Sequence, residues 1–155
     1  MSHARKQIRE AAATLLRATP STWGTVFESR LPTTRAVMPY LMIFSDGEAS
    51  QKISANSPAV YSRTANIVIS GRLRLPGNND KETIEDKMDA VAVEVETKLT
   101  YTTLQAVITQ LQSLTLLSTE QALVVGEDDS PQYAEVTLTF AAGYATLEGS
   151  PATLI

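Results

Sequence analysis

The sequence predicts an α+β fold: a mostly antiparallel sheet of about five strands with two main helices packed on it, in the order α-β-β-β-α-β-β. Three observations carry this. In "RTANIVISGRLRL" (63–75), Ala65, Ile67, Ile69, Gly71, Leu73 and Leu75 fall on one side of an extended chain. Asn66, Ser70, Arg72 and Arg74 fall on the other, with Val68 the exception. In "QYAEVTLTFAAGYATL", Ala134, Val136, Leu138, Phe140, Ala142 and Tyr144 alternate in the same way. Two further stretches repeat their apolar residues at helical spacing instead.

The first helix spans about 2–18, with Ile8, Ala11, Ala12, Leu15 and Leu16 as its stripe, and Pro20 ends it. A short strand covers about 25–30 and closes at Pro32. "YLMIF" (40–44) is continuously apolar, which predicts a strand covered on both faces, followed by a turn at Ser45, Asp46 and Gly47. Residues 48–60 are polar and lack a period, so they read as a long loop. The third strand is 61–75. The second helix follows at about 80–99, opened by Asn79 with Glu82 three residues on. Its stripe is Ile84, Met88, Val91, Ala92, Val95 and Leu99, and Glu82, Glu85, Asp86, Glu94 and Glu96 make its other face acidic. A connector with one helical turn precedes a fourth strand at about 109–121, which pairs with the fifth as a hairpin across "VVGEDDSPQ". Residues 146–155 read as a short, loosely ordered tail on a single domain of 155 residues.

Composition narrows the function. Lys and Arg number 13 against 17 Asp and Glu, a net charge of −4, so gripping nucleic acid through its phosphates is not the theme. The absence of cysteine excludes thiol chemistry, disulfides and cysteine-ligated metals. The one histidine, His3, leaves Ser–His–Asp and two-His metal sites nothing to build on. Charges at Arg5, Lys6, Arg9 and Glu10 argue against a signal peptide, and the uncharged stretch 99–119 is too polar for a membrane span. The expectation is a soluble protein made in a cytoplasm.

No motif asks for catalysis, a cofactor or a metal. "SGRLRLPGNND" lacks the spacing of a P-loop, and "AAGYATLEG" is not a dinucleotide fingerprint. Glu127, Asp128 and Asp129 read as a solvated hairpin turn, with a weak cation site between subunits as the other reading. The carboxylates of the second helix read as a solvated face. Arg63, Arg72 and Arg74, placed on the non-core face of the long strand with Val68, suit a protein–protein contact as well as a plain surface.

Taken together, "HARKQIREAAATLL", the strand–strand–acidic-turn segment "WGTVFESRLPTTRAVMPYLMIFSDGE", the long strand feeding "DKMDAVAVEVETKL", and the last hairpin ending "AEVTLTFAAGYAT" resemble the phage tail terminator family, typified by the minor tail protein U of lambda-like phages. The resemblance spans nearly the whole chain and rests on order and pattern. It implies a structural virion protein without enzymatic activity, forming a homohexameric ring on the finished tail tube. Such a ring stops tube polymerisation and presents a surface to head–tail joining or neck proteins, while genomic DNA passes through without sequence-specific binding. It implies a place at the head–tail junction, no membrane and no cofactor. Under this reading Arg63, Arg72 and Arg74 are candidate subunit or tube contacts, and Asp46, Glu48, Lys52, Glu127, Asp128 and Asp129 are loop contacts above or below the ring. Two other readings stand beside it: another neck or tail-completion protein, and a small α+β domain that binds a metabolite.

Overall fold

The computed structural model describes residues 2–32, 36–77, 83–128 and 131–155. The chain runs α1 (Ala4–Leu16), β1 (Thr25–Phe27), β2 (Tyr40–Lys52), β3 (Val60–Arg74), α2 (Ile84–Lys98), α3 (Tyr101–Gln105), β4 (Ser113–Val125), β5 (Pro131–Leu147) and β6 (Ser150–Leu154). The strands form one six-stranded sheet in the order β1-β2-β3-β5-β4, with β6 also on β5. All pairings are antiparallel except β1 with β2. The expected α+β class and element order are therefore observed.

One face of the sheet carries the helices. Leu41 and Ile43 from β2, Ala65, Ile67, Ile69 and Leu73 from β3, and Ala134 to Tyr144 at every second position of β5 meet Ile8, Ala12 and Leu16 of α1 and Met88, Val91 and Val95 of α2 in one core. The alternation read from the sequence is thus the inward face of both long strands. At Gly71 an added Cβ would sit 3.0 Å from the Leu41 side chain and 3.3 Å from Val91, so the glycine lets α2 approach β3 closely.

Three segments differ from the sequence reading. First, the residues expected to turn at 45–47 form a β-bulge. Ser45 pairs with Ile67 and Glu48 with Ala65, so β2 gains one residue, and Gly47 supplies it at φ 99°. Glycine and aspartate serve turns and bulges alike, which is why the pattern read as a turn. The strand then continues to Lys52, and only 53–59 remain as a connector. Second, the expected loose tail is β6. Gly149, at φ 78°, turns the chain back, Thr146 pairs with Leu154, and Gln7 Nε2 donates to the Ala152 carbonyl at 2.7 Å. Third, β4 begins and ends about four residues later than expected.

The expected Asn79–Glu82 helix start lies outside the described residues. The capping box observed on α2 is Thr83–Asp86: the Asp86 amide donates to Thr83 Oγ1 at 3.2 Å, and the Thr83 amide to Asp86 Oδ2 at 3.4 Å.

Candidate functional site

The face of the sheet opposite the helices is built from the even-numbered residues of β2 and β3 before the bulge and the odd-numbered residues of β5. Registry places Tyr40, Arg72 and Glu135 in one row, Met42, Ser70 and Thr137 in the next, and Phe44, Val68 and Thr139 in a third. Tyr40, Met42, Val68 and Ser70 are buried although none belongs to the main core. Arg30 reaches over the Phe44 ring, 4.7 Å from its centroid, and the Phe27 and Tyr40 rings meet edge to face.

Arg72 is the centre of this face. Its Nε donates to Glu135 at 3.2 Å, its Nη1 donates to the Tyr40 hydroxyl at 3.1 Å, and its guanidinium lies 5.0 Å from the Tyr133 ring centroid. Burial works against the charge, but the bonds to Tyr40 and Glu135 outweigh it and hold the guanidinium above its ordinary pKa. The sequence singled out Arg72, with Tyr133 as a neighbour on the same face, but not Tyr40 or Glu135. Their signal was the shared parity of positions on adjacent strands, visible only once β3 is known to lie between β2 and β5. Arg74 lies at the exposed end of the same face.

Arg63 is on the other face, which corrects the expectation that it sits with Arg72 and Arg74. It pairs in register with Tyr144, an inward residue, and its odd number puts it in step with Ala65 and Ile67. There it joins a polar cluster around Glu48. The bulge turns Glu48 inward, leaving its side chain only 6% exposed. Its carboxylate accepts from the Tyr144 hydroxyl and from Arg5 Nη1 at 3.3 Å, and lies 3.7 Å from both Arg63 Nη1 and His3 Nε2. Arg63 also donates from Nε to Thr146 Oγ1 at 2.7 Å and from Nη1 to Ser50 Oγ at 3.2 Å. Glu48 is therefore a buried fastening for the start of α1, where a solvent-facing loop carboxylate was expected. Asp46, on the bulge, is exposed and pairs with Arg30 at 3.3 Å, and Lys52 is exposed at the end of β2.

Glu127 and Asp128 are exposed in the β4–β5 turn, and Asp129 lies outside the described residues. Among the described residues no group of three or more His, Cys, Asp or Glu could hold a metal ion. A mainly apolar cavity of about 210 Å³ opens between α2 and β3, lined by Thr22, Pro39, Leu73, Arg74, Lys87, Ala90 and Val91. It is smaller than the roughly 300–1,000 Å³ of small-molecule sites.

The feature that sequence reasoning missed is the sheet edge. β4 has thirteen residues and none is buried, and Leu116, Leu117, Leu123 and Val125 all face solvent. Leu114 and Leu116, two residues apart, share one face of the strand. Leu114 packs against the core, but the positions beyond it stay largely exposed, and Gln121 Nε2 donates to Asp89 Oδ1 of α2 at 2.9 Å.

No protein-family model matches the chain, and no curated protein matches it. Among solved structures, the chain is similar to one from the virion of a native gene transfer agent particle, at a TM-score of 0.45 and 19% identity, covering 95% of this chain and 92% of that one.

Proposed function

We propose that the protein is a structural component of a phage-like virion that works by contact, as a ring capping the tail tube. Capping would stop tube polymerisation and leave a surface for head or neck proteins, with DNA passing through the hole. The observation that carries this reading is β4: a long edge strand with apolar side chains in water is a surface that needs a partner. The outer face around Arg72 offers a second surface, half aromatic and half charged, of the composition typical of protein contacts. The sequence resemblance to tail terminators supplies the identity of the partners, namely further copies, the tube protein and the neck. We read the protein as a structural component and not as an enzyme.

Electron microscopy of the purified protein, alone and mixed with tail tubes, tests this. Six-fold rings, or caps on one end of tubes whose growth has stopped, are expected. A protein that binds preassembled heads or necks and ignores tubes would move the reading to a neck or tail-completion protein.

A further inference from the structure

The charges are divided along the chain, and the fold turns that division into two sides. Residues 1–75 carry ten Lys and Arg against four Asp and Glu, whereas residues 76–155 carry three against thirteen. The first segment builds α1, β1, β2 and β3, and the second builds α2, β4, β5 and β6. In the sheet order β1-β2-β3-β5-β4 the two segments occupy opposite halves. Among the described residues the imbalance is nine against four and two against ten, so one side of the molecule is basic and the other acidic, although the net charge is only −4.

The acidic side is also the unfinished one. Leu117, Leu123 and Val125 of β4 are 55%, 47% and 53% exposed, and Val93 of α2 is 62% exposed. Val93 follows Asp89 by one helical turn, so it projects on the side of α2 that Asp89 Oδ1 and Gln121 Nε2 join to β4. Exposed Glu85, Asp86, Asp89 and Glu96 border this apolar strip. Long edge strands are usually guarded by lysine, proline or short length. β4 has one charge, Glu120, and one bulge, at Leu117.

The opposite side has an opening as well. β1 pairs only with Tyr40, Leu41 and Met42, so among the described residues no strand pairs the rest of β2 on that side. Arg30, paired with Asp46, and Lys52 are exposed along this stretch, with Lys6, paired with Glu10, exposed on α1.

We infer that the acidic β4–α2 edge of one copy seats on the basic β2 side of a second copy, head to tail. This rests on the self-association in the reading above and gives it a direction. Like charges would oppose acidic edge on acidic edge, so a two-fold contact through β4 is disfavoured. A contact between unlike sides leaves each copy with one used and one free edge, which is the arrangement that closes into rings.

The chain has no cysteine, so introduced ones report cleanly. Leu117→Cys on β4 and Lys52→Cys on β2 replace exposed side chains. Within one molecule β3 and β5 separate their strands, a gap of about 14 Å across the sheet plus several residues along it. Each variant alone, their equal mixture and the double variant are treated with a short bismaleimide at high protein concentration. The mixture should give a cross-linked heterodimer, each single variant only monomer, and the double variant a ladder of trimers and larger species. Homodimers of Leu117→Cys at the level of the heterodimer would overturn the inference in favour of a two-fold contact. Absent cross-links, with the wild type still forming rings or capping tubes, would overturn it and leave the cap reading standing. A ladder from a protein that never caps tubes would leave the head-to-tail contact standing and remove the cap reading.

Discussion

Tyr144 on β5 donates its hydroxyl to Glu48 on β2, across the intervening strand β3. On β3, Glu48 is in register with Ala65 and Tyr144 with Arg63, so the bond runs diagonally across the strand. The bulge at Gly47 and the tyrosine at 144 therefore form one device, which holds a buried carboxylate under the first turn of α1.

That device gives the protein an alkaline limit. Burial first, and then the bond to Glu48, push the Tyr144 hydroxyl well above its ordinary 10.0. The folded state holds this proton more tightly than the unfolded chain does. Its stabilisation is complete below pH 10 and is lost as pH rises through the unfolded value toward the folded one. Denaturant unfolding followed from pH 8 upward should show stability falling above about pH 10. In Tyr144→Phe this component of the slope should vanish, and the variant should be less stable at neutral pH by about 1–2 kcal/mol. An unchanged alkaline slope in Tyr144→Phe would show that the hydroxyl is not the group responsible.

Gly47→Val should act on the same device through the backbone. At φ 99° a β-branched residue is strained, although its Cβ would meet nothing within 4 Å. The expected cost is about 1–3 kcal/mol, without any steric clash. Because the bulge sets which residue faces inward, hydrogen exchange should rise both at β2 beyond residue 47 and at the start of α1. Loss of protection confined to β2 would separate the bulge from the helix.

Much of the fold was legible because alternation in β3 and β5 and the helical stripes each report one buried face, and burial is what the sequence records most directly. The bulge was less legible. Ser45-Asp46-Gly47 has turn chemistry, and only the pairing of Ser45 and Glu48 with β3 shows that the strand carries on. Arg63 was assigned to the outer face with Arg72 although nine residues separate them, a spacing that places them on opposite faces of a regular strand. On the outer face, Arg72 stood out by its charge. Its partners Tyr40 and Glu135 come from strands 32 and 63 residues away, and such registry is not written in any local pattern. The exposure of β4 was hidden for a related reason, since a leucine reads the same whether a helix covers it or a second chain does.

Arg74 and Arg72 should separate contact from stability. Arg74→Glu changes an exposed residue and should shift monomer stability by no more than about 0.5 kcal/mol, while weakening capping of tail tubes. Arg72→Ala removes the bonds to Glu135 and Tyr40 and should cost about 1–2 kcal/mol in the monomer. Thermal unfolding and a tube-capping titration on the same samples make the comparison. Normal capping by Arg74→Glu would take that end of the outer face out of the contact.

Lys98, in the last turn of α2, should prove a fastening for the segment that follows α1. Its Nζ donates to the carbonyls of Ala18 at 2.5 Å and Pro20 at 2.8 Å, lies 3.4 Å from Glu94, and sits 4.9 Å from the centroid of the Trp23 ring. Trp23 is buried and donates its Nε1 to the Leu16 carbonyl at 2.8 Å, so one lysine and one tryptophan together close the C-terminal end of α1. Lys98→Met keeps the stem but strips the ammonium, leaving both carbonyls without that donor and the ring without its cation. The expected loss is about 2–3 kcal/mol, or several degrees in Tm at roughly 2–4 °C per kcal/mol for a chain of this length. Trp23 is the only tryptophan, so its fluorescence reads the site directly and should change in the folded variant. Lys98→Arg should recover only part of the loss, because the bulkier guanidinium spreads its donors in one plane, whereas the ammonium reaches both carbonyls from a single atom. Full recovery by arginine would mean that charge alone holds the segment, and an unchanged Tm in Lys98→Met would mean that the packing of Trp23 holds it without help.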